Sequence, residues 1–262
     1  MEPTTTPEPP PGASPTSTMS LAGRLLNVFA APGDVFGEVK TAAPSVTNWL
    51  VPAVLFMVLS WLSAGLIFSQ PAIRQQISEL STKAIDRQVE KGKLSGAQAE
   101  QARATAEKFG SVGYEIGAVF APVFAAFASP FFGGLILWLV GSFALKGPFS
   151  YMKAVEVAGL SNMILALNVI VKTLLILITG NLFASTSLAL VVKDFDPQNS
   201  VHSLLAMMDV MVLWLLTVRS IGLARLSGAS IGKAAAWIFG IWIAFTGVMI
   251  GFGAAVRAAF GG

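Results

Sequence analysis

The chain has 262 residues, 54% of them hydrophobic and 12% charged, about half the charged share of a soluble domain. The formal net charge of +3 is small and no stretch is dense in Lys or Arg, which argues against nucleic acid as a partner. With no cysteine and one histidine, disulfides, thiolate-ligated zinc and most nucleophile–base pairs cannot be assembled.

Residues 1–19, "MEPTTTPEPPPGASPTSTM", have no basic run followed by an apolar one and do not read as a secretory signal. Their Pro and Thr content cannot bury enough surface to offset chain entropy, so a disordered tail is expected. The next segment, 20–45, carries an apolar stripe of Leu21, Leu25, Val28 and Phe29, continued after Pro32 by Phe36 and Val39. It is too short and polar to cross a bilayer and reads as an interfacial helix, with Arg24 and Lys40 towards the headgroups. Arg24, Leu25, Phe29, Pro32 and Phe36 are the candidate docking residues of that segment.

A membrane-crossing helix needs about 20 apolar residues. Five windows qualify, at 49–69, 117–145, 157–179, 203–223 and 234–256. The second is long enough that tilt or a kink at Pro122 or Pro130 is expected. Between the first two lies the one sizeable polar insert, 71–110. Ile73, Ile77, Leu80 and Ala84 recur in it at helical spacing, "KGKLSG" interrupts, and Ser95 followed by Gln98 has the form of a capping box. This predicts a helical hairpin outside the bilayer. The fold class is therefore all-α: a polytopic bundle of five spans with an interfacial N-terminal helix and an extramembrane hairpin. The short segments flanking the spans place more Lys and Arg on the N-terminal side, which predicts a cytoplasmic N-terminus.

Charged residues inside the windows are the candidate site. A carboxylate in hydrocarbon needs a partner, water or a function, and Asp209 falls within the fourth window. Counted from the loop shared by spans three and four, Lys172 and Asp209 reach similar depth, so an ion pair between them is expected; Glu156 and Arg219 match in the same way at the other end. Asn162 and Asn168 are candidates for hydrogen bonds between helices. Gly247 and Gly251 form a GxxxG pattern suited to close packing within the chain or between copies. His202 has no ligand-like neighbour, so no metal is expected. The sequence contains no phosphate loop, HExxH or GxSxG; catalytic residues and cofactors are not expected.

Three stretches carry a family resemblance: "RLLNVFAAPGDVFGEVK" (24–40), "KGPFSYMKAVEVAGLSNM" (146–163) and "MMDVMVLWLLTVRSIGLARLSGASIGKA" (207–234). In this order and spacing the chain resembles the Ypt-interacting protein (Yip) family, in its bacterial branch, over about residues 20–256. The resemblance implies a non-enzymatic integral protein of five spans in a bacterial cytoplasmic (inner) membrane. Eukaryotic members are associated with Rab-type GTPases and vesicle traffic. For this chain the expectation is a scaffold that docks a membrane or cytoplasmic protein, with lipid around it and a homo-oligomer as a further partner. The alternative is a small transporter, channel or lipid-handling protein built on Lys172 and Asp209.

Overall fold

The computed structural model describes residues 19–192, 195–196 and 199–261. The tail expected over 1–19 lies outside these residues, apart from Met19. Ten α-helices follow in order among the described residues: α1 (Leu21–Ala30), α2 (Pro32–Thr41), α3 (Thr47–Phe68), α4 (Pro71–Glu90), α5 (Gly96–Leu139), α6 (Tyr151–Ser161), α7 (Met163–Thr179), α8 (Ser200–Met207), α9 (Val210–Ser227) and α10 (Ile231–Gly261). Five stretches are long and apolar enough to cross a membrane: Thr47–Phe68, Val112–Ala144, Tyr151–Thr179, Val210–Ser227 and Ile231–Gly253. The all-α class and the five spans follow from these helices.

The polar insert is a helical hairpin. α4 starts with Pro71 at its first turn, where the missing N–H would have had no partner. Gly92, at φ +66°, makes the turn. Ser95 then opens α5 with the capping box expected: its hydroxyl accepts from Gln98 N, and the Gln98 side chain accepts from Ser95 N. α5 runs on through Pro122 and Pro130 as one helix of 44 residues. It ends in a wide π turn, Val140–Ala144. Ile73 and Ile77 are buried against Ile176 and Ala184, so the base of the hairpin sits on the bundle, while Ala84, further along the same stripe, is exposed.

At the centre of the bundle is α6. Every residue from Lys153 to Ser161 is buried. A helix buried all round needs small residues where neighbours cross, and those are supplied from both sides. A Cβ on Gly159 would stand 2.4 Å from Trp49 Cα, one on Gly134 2.8 Å from Val155 Cα, and one on Gly222 2.3 Å from Val157 Cγ1. α3, α5 and α9 reach α6 at these points.

The fourth span departs from expectation. A continuous helix over 203–223 was anticipated, but α8 stops at Met207 and α9 starts at Val210. Asp209 separates them. Its backbone is extended, and it pairs with Ser187 as an isolated antiparallel bridge. The span thus begins seven residues later than hydropathy alone suggests.

Candidate functional site

α1 and α2 form a cap over the N-terminal end of the bundle. Ser20 caps α1 by accepting from Gly23 N. Pro32 occupies the first turn of α2, with Asp34 in the same turn, where a negative charge favours the helix dipole. The stripe read from sequence does not face lipid. Val28, Val35, Phe36 and Val39 are wholly buried, and a Cβ added to Gly222 of α9 would come within 3.1 Å of the Phe36 ring. Leu25 packs against the same core. Phe29 meets Trp214 with ring centroids 5.9 Å apart. Of the five docking candidates, Phe36 and Arg24 are therefore buried, Leu25, Phe29 and Pro32 are half-buried, and none points freely outward. The α1 residues that do are Ala22, Leu26, Asn27 and Ala30, with Leu26 70% exposed.

Arg24 does not reach for headgroups. It turns inward and opens a chain of buried polar groups. Its Nε lies 3.7 Å from Glu38 Oε2, and Glu38 Oε1 accepts from Met19 N at 2.7 Å. Arg24 Nη1 donates to Asn48 Oδ1 at 3.1 Å, and Asn48 Nδ2 donates to Glu156 Oε2 at 2.6 Å. The other carboxylate oxygen of Glu156 lies 3.2 Å from Lys153 Nζ. Lys153 Nζ donates onward to Val39 O and Ala42 O, both at 2.7 Å. The two carboxylates and two cations balance. Lys153 also places its charge on the C-terminal carbonyls of α2, the end a cation favours. Segments α1, α2, α3 and α6 are joined by this one network.

The expected pair of Glu156 with Arg219 does not form. Lys153 lies one helical turn away on the same helix, and Asn48 takes the second oxygen. Because α9 starts at Val210, Arg219 lies at mid-span rather than near an interface. Its Nη2 donates to Asn162 Oδ1 at 2.9 Å, and Asn162 Nδ2 donates to Ser129 Oγ at 3.1 Å. Asn162 is six residues, about 9 Å of helix rise, beyond Glu156. Asn162 thus bonds between helices as anticipated; Asn168 makes no side-chain hydrogen bond among the described residues.

Lys172 and Asp209 do not pair either. Asp209 is the N-cap of α9: its Oδ1 accepts from Met211 N at 2.8 Å and from Thr186 Oγ1 at 2.7 Å. The backbone donors of a helix start and a hydroxyl satisfy the carboxylate, so no cation is required. Lys172, on α7, is exposed and makes no ion pair among the described residues.

Among the described residues, a Cβ at Gly247 or Gly251 would meet no atom within 4 Å. α10 lies at the edge of the bundle, so their face is open and close packing falls to Gly134, Gly159 and Gly222 instead. Those three stand outside any GxxxG pattern, which is why spacing alone overlooked them. His202 Nδ1 accepts from Asp196 N at 3.0 Å, and its ring stacks on Phe195. Among the described residues no three His, Asp or Glu side chains gather as a metal site would need.

The fold and this network define an integral membrane protein of five apolar helices with a cap locked to one end. The Yip1 domain family profile matches residues 26–253, and the chain belongs to that family. No curated protein and no solved structure matches it.

Proposed function

We propose that the chain is a non-enzymatic membrane scaffold that docks a protein partner on the outward face of the α1–α2 cap. The observation that carries this reading is the buried network from Arg24 to Lys153. Four charges are desolvated to fix two short helices in place, which is more than a passive interfacial anchor needs. The fixed cap turns Ala22, Leu26 and Ala30 outward at i, i+4, i+8 spacing, an apolar stripe of the kind that receives a partner helix. Family membership supports a role in protein interaction without naming the partner. Transport on a Lys172–Asp209 couple lacks its couple, since Asp209 is occupied as a helix cap.

Photocrosslinking from Leu26 in native membranes tests the proposal. Recurrent capture of one protein, lost in Leu26→Asp while insertion and melting temperature hold, is the expected result. Capture of lipid alone from Leu26 would reduce the cap to an anchor and overturn the reading.

A further inference from the structure

Lys172 stands ten residues into α7 and seven short of its end at Thr179, about 10 Å of helix rise from that surface. Helical side chains tilt towards the helix N-terminus. For α7 that direction leads towards the bilayer middle, so an outward reach to the nearer surface works against the geometry. An unpaired ammonium at this depth is costly and marks a site by default.

The ammonium does have a space to serve. Lys172 lines a cavity of about 270 Å³ between α3, α5 and α7, with Ser60, Ser63, Pro122, Ile176 and Leu182 among its walls. The Ser60 hydroxyl donates to Phe56 O at 2.7 Å. Thr173 donates its proton to Val169 O, so in the contact between Ser63 and Thr173 the donor is Ser63. Both wall hydroxyl protons are spent. Among the described residues, Lys172 is the one lining side chain with donors left for an occupant. At the hairpin end, Arg74 Nε donates to the carbonyl of Phe68, another wall residue. Arg74 itself does not line the cavity. The nearby acid, Glu115, does not line this cavity; it lines an adjoining crevice that shares Ala64, Phe68 and Ala118 with it.

We infer that this cavity takes the phosphate of one anionic phospholipid, drawn below headgroup level onto Lys172, with the first part of one acyl chain along the apolar walls and the rest of the lipid in the surrounding bilayer. An apolar cleft within the spans is reached from the bilayer, which selects a lipid over a free phosphate ion. A lining cation, with the neighbouring hydroxyl protons already committed and no lining acid to neutralise it, selects an anionic headgroup over a zwitterionic one. The site stands apart from the cap and does not depend on the scaffold reading.

The test uses the full chain, purified and exchanged into nanodiscs of phosphatidylcholine containing a minor fraction of phosphatidylglycerol. Native mass spectrometry then counts retained lipid. Wild type is expected to keep one phosphatidylglycerol. In Lys172→Gln the preference falls roughly fivefold, as loss of one lipid-facing cation implies, and Lys172→Arg restores it. Melting temperature is followed in each variant. A photoactivatable phosphatidylglycerol on the unmodified protein gives an independent reading, with adducts expected within residues 60–68 or 172–182. Equal retention of phosphatidylcholine, undiminished phosphatidylglycerol in Lys172→Gln, or adducts confined to other helices would each overturn the assignment.

Discussion

Glu156 is 1% exposed and is held by one cation and one amide, Lys153 and Asn48. Breaking a buried ion pair by removing one partner leaves the other charge stranded, which is far worse than never having had the pair. Glu156→Ala should therefore cost about 3–5 kcal/mol in unfolding measured in detergent. Glu156→Gln keeps the shape and loses the charge, and its melting temperature should fall between the two. Asp209 behaves differently. As an N-cap it is replaceable by another capping residue, so Asp209→Asn should melt close to wild type, while Asp209→Ala loses about 1 kcal/mol. A charge swap that exchanges Lys172 with Asp209 should rescue nothing, because the two do not touch.

At the scale of helices, the contrast between buried and open positions becomes measurable. Phe36 is 0% exposed and rests on the glycine face of α9; Phe36→Ala should destabilise by about 3–5 kcal/mol, and Phe36→Asp should fail to accumulate in the membrane. Gly159→Ala forces a methyl into the Trp49 backbone and should also be strongly destabilising. Gly247→Ala meets open space and should shift the melting temperature little, since substitutions away from such contacts stay within about 0.5 kcal/mol. Thermal unfolding of the three variants side by side separates these outcomes.

These same positions show what sequence can and cannot convey about helices. Hydropathy marks five spans because about 20 apolar residues in a row have few other uses. The capping box at Ser95 was readable because its two partners lie three residues apart. Glu156 with Lys153 was equally local, yet depth matching between helices drew attention to Arg219. Phe36 was not readable: an amphipathic stripe looks the same whether it meets lipid or protein. Nor was the break at Met208, since an apolar run carries no sign of the loop at Thr186 and Ser187 that pairs with it across some twenty residues.

For the molecule as a whole, the single crossing of α3 puts the α1–α2 cap and the α4–α5 hairpin turn on opposite faces. The absence of native cysteine makes this directly testable. Single cysteines at Asp34 and Gly92 should react with an impermeant maleimide from opposite sides of sealed vesicles; labelling from one side would mean an even number of crossings between them.

The length of α5 has a mechanical consequence. Its 44 residues make a strut of about 66 Å, running from the hairpin turn past Gly134, which seats against Val155 on α6. A tilt of that strut at the hairpin end should therefore be felt on α6, beneath the cap on the other face. Pro122 and Pro130, each lacking a backbone donor, lie inside that strut and are the positions at which it should bend most easily.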